Sequence, residues 1–111
     1  MSRSTPERDW KYIRSVRAQL LAALCDRINA QSANILAEVA SSAHEKYLKL
    51  YQHIQDSDQI VADCFNDLKR SNLLVKLIAL QHHGILQAEH ITQLSPETQK
   101  NLQVLKQLNE D

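Results

Sequence analysis

Five histidines, two cysteines and thirteen acidic side chains are the groups in this 111-residue chain that could hold a metal ion or move a proton. His82, His83 and His90, with Glu89, form the densest group. A zinc site needs three or four such ligands converging tetrahedrally. His82 and His83 are neighbours in a helical stretch and point about 100° apart, so a site that takes one turns the other away. Near a helix C-terminus they have a plainer role, as polar groups where positive charge is favoured. A di-iron site in a helical bundle draws on Glu-x-x-His pairs, and none of Glu7, Glu38, Glu45, Glu89 and Glu97 has a His three residues on. His44-Glu45 lacks the second histidine of the zinc-protease helix. Cys25 beside Leu24 and Cys64 beside Phe65 read as small buried hydrophobes. A nucleophilic cysteine needs an activating partner, and His53, the nearest histidine to Cys64, is three turns away along the chain. The residues therefore predict no catalytic group, no metal site and no cofactor. The alternative is a small enzyme or metal-binding helical protein using His82, His83 and His90.

The elements that must position these groups are helices. The chain has one glycine and two prolines, too little turn chemistry for an all-β fold or a phosphate-cradling glycine loop. Its apolar fraction is 43%, enough for one modest core in a single domain. Lys+Arg and Asp+Glu balance at 13 each, which argues against a general polyanion binder. Gly84 separates two helical stretches, but no Lys or Arg lies between Leu77 and Gln99, where a helix-turn-helix would need them. No nucleic-acid partner is expected. No apolar run approaches membrane-spanning length, and Met1–Trp10 has no signal-peptide apolar segment. With two cysteines and no disulfide framework, the expected compartment is the cytoplasm.

Thr5-Pro6-Glu7 reads as a helix start. Apolar residues then recur every three or four positions at Trp10, Ile13, Val16, Leu20, Leu24, Ile28, Ile35 and Val39, predicting one long helix over about 6–41. Ser42-Ala43-His44-Glu45 is a capping box. It opens a helical head over about 43–108, with a stripe through Tyr47, Leu50, Tyr51, Ile54, Val61, Phe65 and Leu68. Asp56-Ser57-Asp58 reads as a break or kink in that stripe. Gly84 stands where a helix ends in a left-handed residue. Ser95-Pro96-Glu97 starts a last helix through about Gln107. Met1–Ser4 and Asn109–Asp111 read as frayed ends. The fold class is all-α: a long N-terminal helix plus a compact helical head, in a dimeric helical bundle.

The dimer follows from the length of the first helix, which the rest of the chain cannot cover. A two-fold homodimer burying Ile13, Leu20, Leu24 and Ile28 is the expected solution. A partner protein is expected at a charged patch on the head, around Phe65–Arg70, with Asp63, Asn66, Asp67 and Arg70 as rim contacts. Arg3, Arg8, Lys11, Arg14 and Arg17 face two acids, Glu7 and Asp9, near the start of the first helix, an exposed surface or a docking face for an acidic partner.

Residues 47–94 run in a recognisable order. A helix Tyr47-Leu48-Lys49-Leu50-Tyr51-Gln52-His53-Ile54 leads to Phe65-Asn66-Asp67. Ser71-Asn72-Leu73-Leu74-Val75, His83-Gly84-Ile85-Leu86 and a short acidic helix follow. This layout resembles the fluorescence recovery protein family of cyanobacteria and its bacterial relatives. The resemblance implies a small dimeric helical regulator without catalytic residues, acting by binding another protein. The cyanobacterial members bind the light-activated orange carotenoid protein. Their aromatic and arginine-rich stretch is replaced here by Cys64–Arg70, so the resemblance extends to scaffold and dimeric habit and leaves the partner open. The expected function is thus a non-enzymatic regulatory or protein-interaction module. An inhibitor of a single cognate protein, such as a toxin, would have the same physical signature.

Overall fold

Local signals in the chain place the helix boundaries, and the computed structural model describes residues 6–110. Thr5 as a cap, Arg3, and the ends at Met1–Ser4 and Asp111 lie outside the described residues. All regular structure among the described residues is helical: α1 (Glu7–Ala37), α2 (Ala43–Phe65), a single 3-10 turn at Arg70–Asn72, α3 (Leu73–His82), a one-turn α4 (Ala88–Ile91) and α5 (Pro96–Glu110). At 1.5 Å per residue α1 is about 46 Å long, and it runs along a molecule 56 × 32 × 25 Å in extent.

Pro6 precedes α1, whose first turn carries Glu7 and Asp9 at the positive end of the dipole. The helix stops at Ala37, four residues before the expected end, because Glu38 turns to extended backbone. Lys49 of α2 holds the Glu38 carboxylate at 3.1 Å and the Ser41 hydroxyl at 3.2 Å, which draws the link onto the second helix. The capping box forms as read: Glu45 N–H donates to Ser42 Oγ, and Ser42 N–H donates to the Glu45 carboxylate.

The expected break at Asp56-Ser57-Asp58 does not occur; α2 is continuous through it. Ser57 faces inward and is buried, its Oγ 3.4 Å from His53 Nδ1. Of the flanking acids, Asp56 accepts from the Gln52 amide one turn away at 2.9 Å, and Asp58 is exposed. Exposed polar residues at this spacing suit a helix surface as well as a turn.

The core gathers at one end of the molecule. Ile13, Leu20 and Leu24 of α1 pack with Cys64 and Phe65 of α2, Leu73, Leu77 and Leu80 of α3, and Ile85, Leu86, Leu94 and Leu102 beyond. The long helix is therefore not separate from the head; its first half is the head's central strut. Ile13, Leu20 and Leu24 are covered by their own chain and cannot form the expected dimer face, while Ile28 is half-buried where α1 leaves the head. From Cys25 to Asp56 no residue is fully buried. That stretch is an antiparallel two-helix arm, tied where His53 Nε2 meets the Ile28 carbonyl at 3.1 Å. The arm also corrects two residue expectations: Ile54 and Cys25 are exposed.

Charged side chains from one helix cap the ends of others. Asp9 of α1 is fully buried at the start of α5, accepting from Ser95 N–H at 2.7 Å, Ser95 Oγ at 2.9 Å and Thr98 Oγ1 at 2.6 Å. Arg27 of α1 donates to the carbonyls of His83 and Gly84, at the end of α3. Lys76 of α3 donates to the carbonyls of Ala62 and Asp63, at the end of α2. An anion at a helix start and cations at two helix ends all match the sign of the macrodipole.

Candidate functional site

The end of α2 and one face of α3 form the walls of a groove of about 730 Å³, lined by Ala62, Asp63, Val75, Lys76, Ile78, Ala79, His82 and His83. Their antiparallel crossing follows from the turn at 66–72. Asp67 adopts φ 56°, a left-handed conformation that Asp tolerates better than most residues. Asn72 Nδ2 donates to the Asp67 carbonyl at 2.7 Å, and its Oδ1 accepts from Lys69 N–H at 3.0 Å, which closes the turn. Lys76 then staples α3 to the last carbonyls of α2.

The groove has an apolar floor and a polar rim. Ala62, Ile78 and Ala79 lie within it, and Val75 is 67% exposed at its mouth. Asp63 and His82 stand exposed on opposite walls. His82 and His83 meet edge to face with ring centroids 5.0 Å apart. Burial, and then the neighbouring His82, hold the His83 imidazole below its ordinary pKa, so the neutral ring is favoured beside the apolar floor.

Of the four residues expected at a partner surface, Asp63 lines the groove. Asn66, Asp67 and Arg70 are exposed on the turn that joins the groove's two walls. They do not share a helix face with Asp63, because α2 ends at Phe65. Asp67 pairs with Lys69, Nζ to Oδ2 at 3.4 Å. Val75 and Ile78 read in the sequence only as members of an apolar helical run, and Ala79 is not singled out there. Val75 breaks the helical spacing of the buried Leu73, Leu77 and Leu80, which was the available signal.

Of the histidines in the alternative metal-binding reading, His82 and His83 line the groove and His90 is used locally. His90 Nδ1 accepts from Gln87 N–H at 2.9 Å, which caps its own one-turn helix. Among the described residues, no group of three or more His, Cys, Asp or Glu side chains is placed to hold a metal ion. Cys64 is buried, and burial, aided by Asp63, pushes its thiol up to about 11, away from the nucleophilic thiolate. The remaining pair of chemical interest is Ser57 with His53. Its i, i+4 spacing was legible but unread. His53 Nε2 donates to a carbonyl while Nδ1 faces Ser57 Oγ. The pair sits within a continuous helix, whose backbone N–H groups are committed to carbonyls and supply no oxyanion site.

Along the start of α1, Arg8, Lys11, Arg14 and Arg17 are exposed, and Arg17 lies over the Phe65 ring at 5.9 Å. No helix among the described residues is long and apolar enough to cross a membrane. Comparison of the chain with protein-family models, curated proteins and solved structures finds no match.

Proposed function

We propose that this chain is a non-enzymatic regulatory module that acts by binding another protein through the α2–α3 groove. The observation that carries the reading is the groove itself, where the apolar Ala62, Ile78 and Ala79 lie between the exposed Asp63 and His82 on its walls, with Val75 exposed at its mouth. An enclosed pocket buries most of a small ligand. An open groove between helices suits an amphipathic helix, whose apolar side chains seat on the floor while the rim sets orientation. Asp63 and His82 are the rim contacts on the walls, and Asn66, Asp67 and Arg70 extend the rim around the closed end. The likeness to the fluorescence recovery protein family supports the same reading, since those proteins also work by binding and not by chemistry. A toxin inhibitor would use such a groove equally well; the captured partner tells them apart.

The test is capture of a partner from an extract of the source cell by the immobilised full-length chain. The wild type should retain a defined protein in stoichiometric amount. Val75→Glu should lose it while keeping its helical circular dichroism. Val104→Glu, an exposed position on α5 outside the groove, should retain it. Equal retention by the Val75 variant removes the groove reading, and stoichiometric zinc or iron in the purified protein would favour the histidine alternative.

A further inference from the structure

We propose that the basic ridge of α1, formed by Arg8, Lys11, Arg14 and Arg17, is a second docking surface, and that it takes an acidic protein segment whose carboxylates are spaced one helical turn apart. The ridge lies on different residues from the α2–α3 groove and does not depend on it.

The four cations recur at every third residue, so they fall on a single i+3 row of the helix, a continuous ridge about 14 Å long. All four are exposed. Among the described residues no acid pairs with any of them; the ion pairs join Lys49 to Glu38 and Lys69 to Asp67. The acids of the same stretch leave the ridge uncompensated. Asp9 is fully buried and turned to Ser95 and Thr98, which leaves Glu7 at the surface. Arg17 lies over the Phe65 ring at 5.9 Å, so the far end of the ridge rests against the end of α2. Lys11 and Arg14 flank an open hollow of about 340 Å³. The Ser15 hydroxyl in its wall donates to the Tyr12 carbonyl, which leaves the two cations to meet a ligand there. Cations near a helix start oppose the macrodipole, and like charges one turn apart repel. The chain is neutral overall, so the ridge is a local concentration of positive charge that works against its own helix. A bound anion removes both costs.

Charge complementarity calls for an anion, and the surroundings of the ridge select its class. Single-stranded nucleic acid is held on exposed aromatic faces as well as on cations. Trp10 and Tyr12, beside the ridge, are half-buried, and the exposed Tyr47 and Tyr51 lie on the arm. Stable attachment to an anionic membrane takes apolar side chains that enter the bilayer besides a basic patch. The exposed neighbours of the ridge, Ser15, Ala18 and Gln19, supply none of any size. A row of carboxylates needs only matching cations. A guanidinium takes a carboxylate through two parallel hydrogen bonds, and every ridge residue except Lys11 is an arginine. On an acidic helix, carboxylates at i, i+3 and i+4 recur about every 5–6 Å, which is also the step between neighbouring cations of the ridge.

Fluorescence anisotropy of labelled peptides with the full chain tests this. A helical peptide repeating Glu-Glu-Ala-Ala should bind at low salt, and the same repeat with Gln in place of Glu should not. The affinity should fall as salt rises, as for any exposed charge pairing. Lys11→Glu combined with Arg14→Glu should raise the dissociation constant about tenfold or more with the helical circular dichroism unchanged, since both positions are exposed. Lys100→Glu combined with Lys106→Glu changes the net charge equally at exposed positions of α5 and should leave binding as it is. Val75→Glu should also bind the acidic peptide unchanged, so failure of the ridge and failure of the groove are read separately. Equal binding of the Glu and Gln peptides overturns the proposal, and so does an equal loss in the α5 variant, which would make the effect one of net charge. Tighter binding of a single-stranded oligonucleotide, of phosphatidylserine vesicles or of inorganic phosphate than of the acidic peptide, lost in the Lys11 and Arg14 variant, overturns the assignment to a protein segment.

Discussion

Asp9 shows how a single side chain can hold two distant parts of the chain together. Its carboxylate is fully buried and takes three hydrogen bonds from Ser95 and Thr98, 86 and 89 residues away. In the sequence it reads only as an acid in the first turn of α1; nothing local announces that it also serves the first turn of α5. Asp9→Ala leaves the Ser95 N–H and the Thr98 hydroxyl without this acceptor, while Ser95 Oγ keeps Thr98 Oγ1 at 3.0 Å, and should cost about 2–4 kcal/mol in urea denaturation, with Asp9→Asn costing less because one carbonyl oxygen remains. A loss under 1 kcal/mol for Asp9→Ala would mean that water replaces the carboxylate. The cysteines were read alike and differ in the fold, because Cys25 begins the arm and Cys64 ends in the core. A thiol reagent at pH 8 should therefore modify one thiol rapidly in the folded protein and two in denaturant. Two fast thiols in the folded state would contradict the burial of Cys64. Because the folded Cys64 pKa is raised from 9.0 to about 11, the unfolded chain releases this proton first. Its contribution to stability is full below pH 9 and declines as pH rises through about 11.

At the level of elements, the legible features were those decided by a few neighbouring residues. The Ser42–Glu45 capping box, the left-handed Gly84 at φ 72° and the start at Ser95-Pro96 all form as the residues dictate. Gly84 ends α3 with the Ile85 and Leu86 N–H groups returning to the Leu80 carbonyl. Two boundaries were misread because polar residues serve turns and exposed helix faces alike. Asp56-Ser57-Asp58 continues α2, whereas the weaker break signal at Arg70-Ser71-Asn72 marks the real one, which begins earlier, at Asn66–Lys69. That turn explains Asp67 without reference to a partner: the position needs a positive φ, which an L side chain adopts at a cost and glycine adopts freely. Asp67→Gly should leave stability within about 0.5 kcal/mol of wild type or raise it, and Asp67→Val should lower it by about 1 kcal/mol or more. Thermal melts of the two variants decide this; a Val variant as stable as wild type would show that the turn relaxes. Partner capture by Asp67→Gly then reports on the carboxylate alone, with the turn intact.

Periodicity along the whole molecule showed that one face of α1 is buried but could not show against what. The stripe through Ile13, Leu20 and Leu24 is real, and its cover is the chain's own α2, α3 and C-terminal helices instead of a second copy. The conclusion that one end must protrude holds, with the protruding part at the arm. One uninterrupted helix thus has two environments. Up to Leu24 it is clamped by a core containing Leu77, Leu80 and Leu102; beyond Cys25 it has α2 on one side and solvent on the other. Helix stability in proteins comes mainly from packing, and local opening follows the packing around each segment. Hydrogen exchange should therefore divide α1. Amides around Leu20–Leu24 should exchange with those of α3, and amides from Asn29 to Leu36, with Leu48–Ile54 opposite, should exchange at least about tenfold faster. Uniform protection along α1 would show that the hairpin is as stable as the head.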